Sequence, residues 1–187
     1  MILRVPTAAT RVVQDLHTDI FNAQVWQPEE QYKWKTKKNL PLTKRSQAKR
    51  PLLIYEAHVG MALEEGRVGT YVEFERHILP KIADAGYTAV QLMAIQEHPY
   101  YGSFGYHVSS FFAPSSRFGT PEELKSLIDA AHKKGIKVFM DIIHSHAVNN
   151  EVEGIAKFDG TGYQFFHDGT KGYHRQWDSR CFDYGKT

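Results

Sequence analysis

Three apolar runs, separated by two segments that carry helix-start signals, constrain this chain more tightly than any other feature. The runs lie at residues 52–59, 88–95 and 136–143. Each is apolar nearly throughout, the pattern of a strand covered on both faces. Between them stand Thr70-Tyr-Val-Glu73 and Thr120-Pro-Glu-Glu123. Both have the form of a capping box, in which hydroxyl and carboxylate each serve a free backbone N–H. Pro121 suits a first helical position, and Gly86 and Gly135 are placed to end the two helices. Phe74, Ile78 and Ile82 form the expected buried side of the first helix, and Leu124, Leu127, Ile128 and Ala131 that of the second. Pro80 lies inside the first and predicts a kink or a break. The order strand, helix, strand, helix, strand predicts an α/β fold with parallel strands and helices outside them. The crossover lengths allow a doubly wound sheet or a barrel. The loop Val59-Gly-Met-Ala-Leu63 lacks G-x-G-x-x-G, which argues against a dinucleotide-binding version.

The third run ends in Asp141-Ile-Ile-His144-Ser-His146. It reads as a buried parallel strand that delivers polar groups from its C-terminal end, the end where α/β barrels place chemistry. Asp141 with H-x-H is one pattern for a metal, but no further ligand set accompanies it, so no metal is expected. The other reading is hydrogen bonding. A neutral imidazole donates to a hydroxyl, while Asp141 holds a cation or a loop, or is itself satisfied by backbone amides. His144 reads as a histidine satisfied within the fold. Upstream, Glu97-His-Pro-Tyr-Tyr-Gly-Ser-Phe-Gly-Tyr106-His107 lies in a long loop, 96–119. Gly102 and Gly105 permit turns that bring backbone close to a ligand. Tyr106 is either a stacking platform at the mouth of the site or a packed loop tyrosine. Residues 144–187 read as irregular.

Aromatics are 13% of the chain and crowd at 32–34, 100–112 and 163–177, mixed with Gly, His, Ser and Asp. Aromatic faces beside polar groups suit sugar rings, although loop packing would give the same composition. Residues 1–50 look separate. Arg11-Val-Val-Gln-Asp15 and Phe21-Asn-Ala-Gln-Val-Trp26 read as two short strands, the second with Phe21, Ala23 and Val25 on one face. Two strands alone are marginal, so they should lean on another part of the chain. A basic run from Lys33 to Arg50 reads as a solvated linker in preference to a polyanion-binding patch. The net charge of +2 gives no reason to expect nucleic acid. No apolar run reaches the roughly 18 residues that span a membrane, and the N-terminus lacks a signal-peptide pattern. The single cysteine, Cys181, excludes a disulfide within the chain and fits a reducing, cytoplasmic setting.

On these motifs the chain resembles the α-amylase superfamily, glycoside hydrolase family 13, and within it the 1,4-α-glucan branching enzymes. Asp141-Ile-Ile-His-Ser-His146 is similar to the family's first conserved region, at the end of the third barrel strand. Gly105-Tyr106 and Phe111-Phe-Ala-Pro-Ser-Ser-Arg-Phe-Gly-Thr-Pro121 match the segment before it. That second run, Tyr55-Glu-Ala-His-Val-Gly60, Trp177-Asp-Ser-Arg-Cys-Phe182, and Ser145 where amylases usually carry Asn all point to the branching type. The resemblance implies a partial TIM (β/α)8 barrel, about its first three βα units, over 51–187. It implies the tail of a β-sandwich starch-binding module and its linker over 1–50. The partner implied is an α-1,4-glucan, with no cofactor. Tyr106 would stack under the sugar at the cleavage site, His146 would hydrogen-bond its hydroxyls, and Asp141 would support the site structurally and electrostatically. The family's retaining mechanism needs a nucleophile and an acid/base. In the family these follow the fourth and fifth strands, so no catalytic residue is expected within these 187 residues, and no branching activity from them alone. A non-catalytic glucan-binding product and another amylase-family hydrolase are the alternatives.

Overall fold

The computed structural model describes residues 3–36 and 51–186. In chain order its strands are β1 (Val12–Gln14), β2 (Phe21–Ala23), β3 (Ile54–Ala57), β4 (Ala89–Leu92), β5 (Gln96–Glu97), β6 (Ser110–Pro114), β7 (Lys137–Met140), β8 (His146–Val148), β9 (Tyr173–His174) and β10 (Ser179–Cys181). The helices are α1 (Tyr71–Glu73), α2 (Leu79–Asp84) and α3 (Pro121–Lys133). They divide between two compact units. An α/β unit holds Gln27–Met93 and Arg117–Asp141, and a β-rich unit holds Met1–Trp26, Ala94–Ser116 and Ile142–Thr187. Of the basic run, Lys37, Lys38, Lys44, Arg45, Lys49 and Arg50 lie outside the described residues.

In the α/β unit β3, β4 and β7 form a parallel sheet in that order, with Tyr55 opposite Val90 and Val90 opposite Val138. The α/β expectation holds. The central strand buries Ala89, Val90 and Leu92 completely or nearly so. The third run, expected to be a buried strand, is an outer one, and its Met140 is 49% exposed. Ile54 on β3 is 43% exposed. Among the described residues each of these strands has a paired neighbour on one side only, so its apolar side chains lack cover.

Both capping boxes form: Glu73 N–H donates to Thr70 Oγ1, and Glu123 N–H to Thr120 Oγ1, each at 3.2 Å. The helix runs past Pro80 instead of breaking there. The adjustment comes just upstream, where Phe74–Ile78 forms a π turn and Leu79 N–H donates to Phe74 O. A wide turn inserts one residue, and Pro80 lacks the N–H that a regular turn would need. The insertion also rotates the face that follows it. Phe74, Leu79 and Ile82 are buried while Ile78 is only half-buried, so Leu79 takes the place the sequence assigned to Ile78. On α3, Leu124, Leu127 and Ala131 are buried as expected, and Ile128 is half-buried. Each fully buried large apolar side chain contributes roughly 2 kcal/mol. Asp129 on α3 is buried too. It accepts from Lys35 N–H at 2.7 Å, Thr36 N–H at 2.9 Å, Tyr32 O–H at 3.1 Å and the Thr36 hydroxyl. Burial raises its pKa, but the bonds from Thr36, Lys35 and Tyr32 outweigh that and hold it at about 2.

The β-rich unit corrects two expectations. The loop 96–119 contains the antiparallel pair β5–β6, and the stretch after His144 contains the antiparallel sheet β8-β10-β9. Strands of two to five residues carry too little periodicity to be read locally. The first two strands do pair, antiparallel, with Val12 opposite Ala23. They lean on the remainder of the unit as expected, since Val5, Val12 and Phe21 cluster with Ala113 of β6. The apolar face is shorter than predicted: Phe21 is buried, but Ala23 and Val25 are exposed. The bond from Gln24 N–H to Arg11 O at 3.0 Å follows the last pair, Val12 with Ala23, and Val25 lies beyond it.

Candidate functional site

Tyr106 and His146 come together in the β-rich unit. Gly105 sets the local path with φ +92°, and a Cβ there would collide with the Ala94 carbonyl. Glycine is therefore required by backbone approaching backbone. The Tyr106 ring packs, half-buried, against Ala94, Val108 and Ile143. His146 opens β8 and is 7% exposed. Its Nε2–H donates to the Tyr106 carbonyl at 2.9 Å, and its Nδ1 accepts from the Ser145 hydroxyl at 2.8 Å. The carbonyl can only accept, so Nε2 carries a proton, and an Nδ1 that accepts from Ser145 leaves the ring neutral. Burial pushes its pKa below the ordinary value, His107 and His174 push the same way, and the Tyr106 carbonyl opposes them. The imidazole thus joins the segment between β5 and β6 to β8.

Asp141 lies in the α/β unit, half-buried at the end of β7, where its N–H donates to Leu92 O at 3.0 Å. His144 corrects an expectation. Its side chain is exposed rather than satisfied within the fold, and its carbonyl accepts from the Tyr184 hydroxyl. Among the described residues no group of three or more His, Cys, Asp or Glu is arranged to hold a metal ion. No helix there is long and apolar enough to cross a membrane.

Two residues that support this arrangement were missed in the sequence. Gln96 Nε2 donates to Phe111 O at 2.9 Å, and its Oε1 accepts from Ile143 N–H at 3.0 Å. One amide thereby fixes β6 and the segment leading into His146. Glu97 is 1% exposed and accepts from Ser116 N–H at 2.8 Å, and from His98 N–H and the Ser115 hydroxyl at 3.1 Å each. Burial raises its pKa, and these bonds partly oppose the rise. The only signal was a pair of polar residues continuing an apolar run, Ala94-Ile-Gln-Glu97.

The third aromatic cluster places Trp177 beside His146. The Trp177 ring stacks on His174 with centroids 4.0 Å apart and lies 5.1 Å from the ring of His146. Phe165 and Phe166 from the same cluster instead form a core with Ala147, Ile155 and Phe182. In the cluster at 32–34, Tyr32 is bound to Asp129 and meets the Trp34 ring edge-on.

Residues 77–173, more than half of the chain, match the family described as alpha amylase, catalytic domain. A 1,4-alpha-glucan-branching enzyme of Yarrowia lipolytica is 54% identical over 186 residues, 98% of this chain and 26% of the relative. The 1,4-alpha-glucan-branching enzyme 2-2 of Arabidopsis thaliana is 56% identical over 167 residues, 88% of this chain and 20% of the relative. The chain thus spans about a quarter or less of the length of these curated relatives. A crystal structure of a Salmonella typhimurium protein assigned to the alpha amylases superposes with TM-score 0.67 at 23% identity, over 95% of this chain and 27% of that one.

Proposed function

The chain belongs to the α-amylase family, and from that premise we propose that it serves a 1,4-α-glucan branching enzyme, one that transfers α-1,4-glucan segments to 6-hydroxyls. The observation that carries the reading is the His146–Tyr106 junction, set in a sequence about half identical to branching enzymes over nearly its whole length. On this reading residues 51–187 supply the first three βα units of a (β/α)8 barrel, and residues 1–50 the end of a β-sandwich module. The uncovered apolar side chains on β3 and β7 support it, because in a closed barrel every strand has two neighbours.

The chemistry proposed for these residues is binding and orientation. Tyr106 offers its ring to the sugar at the cleavage site, held in place by its own carbonyl's bond to His146. His146 is neutral, so it costs little to bury beside an uncharged sugar. Its Nδ1 accepts from the exposed Ser145 hydroxyl. A sugar hydroxyl can take that place and donate to the same nitrogen. Asp141 enters through the family resemblance, as an electrostatic support. The glycosyl transfer itself requires a nucleophile and an acid/base of the retaining type.

The test is a chimera in which this chain replaces the matching quarter of the Yarrowia lipolytica relative. New α-1,6 linkages on amylose, counted by NMR, are the expected product. A folded chimera that forms none, beside an active parent, would overturn the reading. In the active chimera Tyr106→Ala should lower kcat/KM about tenfold or more through lost stacking.

A further inference from the structure

The hairpin tip between β9 and β10 presents an aromatic surface that packing uses only in part. Trp177 is 50% exposed, and Tyr173, Arg175, Gln176 and Asp178 around it are exposed as well. An indole left half in water forgoes much of the stabilisation its burial would bring. The tip is nevertheless held in one shape. Trp177 N–H donates to His174 Nδ1 at 3.3 Å, and the buried Ser179 hydroxyl donates to Trp177 O at 2.7 Å. The Tyr173 hydroxyl donates to Asp178 Oδ1 at 2.8 Å. Behind the tip, β10 pairs with β8 on one side and β9 on the other. A fixed, exposed aromatic surface with an exposed carboxylate and an exposed amide as its chain neighbours, Asp178 and Gln176, has the chemistry that recognises a pyranose, apolar on its face and hydroxylated at its rim. The neighbouring His146 ring makes this surface continuous with the site already described.

We infer that Trp177, backed by His174, is a separate stacking subsite for one glucose unit of an α-glucan chain, with Asp178 and Gln176 facing its hydroxyls. The inference rests on the glucan reading of the His146–Tyr106 site. The chain has three tryptophans, Trp26, Trp34 and Trp177, so indole N–H signals of the 15N-labelled chain give one reporter at the subsite and two away from it. Maltoheptaose should shift the Trp177 signal and leave the other two in place. Trp177→Ala should weaken binding of that sugar about tenfold, and Trp177→Phe should restore it to within about threefold. If Trp177→Ala fails to fold, the titration of the unaltered chain still decides. An unmoved Trp177 signal at millimolar sugar overturns the inference, as does an equal shift with cellohexaose. A chimera that branches amylose while the Trp177 signal stays still removes this subsite and leaves the proposed function. A shifted signal with an inactive chimera does the reverse.

Discussion

The α/β unit closes over Tyr71, Phe74, Leu79, Ile82, Val90, Leu92 and Leu127, whereas the β-rich unit also buries Gln96, Glu97, His98, Ser109, Ser110, Ser115, His146 and Ser179. Among the described residues, only His58 and Asp129 are buried polar side chains in the α/β unit. One unit is a core of the ordinary apolar kind, apart from Asp129 and the bonds it accepts from Tyr32, Lys35 and Thr36. The other adds to its apolar clusters a network in which side chains bind backbone groups far away in sequence. The contrast follows from what each must hold. Regular helices and strands satisfy their own backbone, leaving side chains to pack. Loops do not, so their amides and carbonyls need side-chain partners when they are buried. Tyr106 and His146 lie in the networked unit, and a network fixes a geometry more narrowly than apolar packing does.

The largest effect expected from this contrast is at glycine. Gly105→Ala puts a Cβ against the Ala94 carbonyl and should cost about 4 kcal/mol or more, or abolish folding of that unit. Gly86→Ala, at φ +83° with open space around it, should cost only about 1–2 kcal/mol. Urea midpoints of the two variants measure the gap, and equal losses would break the comparison.

Next comes the buried carboxylate against a buried leucine. Glu97→Ala strands the Ser116 and His98 N–H groups and the Ser115 hydroxyl, at about 3 kcal/mol in sum. Leu92→Ala should cost a similar amount, about 3 kcal/mol, through its cavity. A loss below about 1 kcal/mol for Glu97→Ala would mean that the network does not hold the β-rich unit.

The smallest effect is with pH. The pKa of His146 is depressed below 6.5, so the folded chain favours its neutral form. Its contribution is present above about 6.5 and declines as pH falls through the folded value. The stability difference between the unaltered chain and His146→Gln should therefore shrink from pH 7 to pH 5. A difference that grows over that interval would contradict the burial argument. In the α/β unit Asp129, lowered from 3.8 to about 2, keeps its contribution until the solution is more acid than pH 4. Hydrogen exchange at Trp177 and Trp34 would follow the two units separately.

What the sequence determined by itself was the α/β order, the two capping boxes, the helix ends at Gly86 and Gly135, and the resemblance that pointed to Tyr106, His146 and Asp141. These are written in neighbours a few residues apart, where periodicity and caps act. Tertiary structure alone decided the rest. The π turn ahead of Pro80 exchanged Ile78 for Leu79 on the buried face. His146 found the Tyr106 carbonyl 40 residues away, and Gln96 found Ile143 across 47. No local pattern announces such bonds, because a buried amide or imidazole is stable only once the backbone groups it serves have been brought to it.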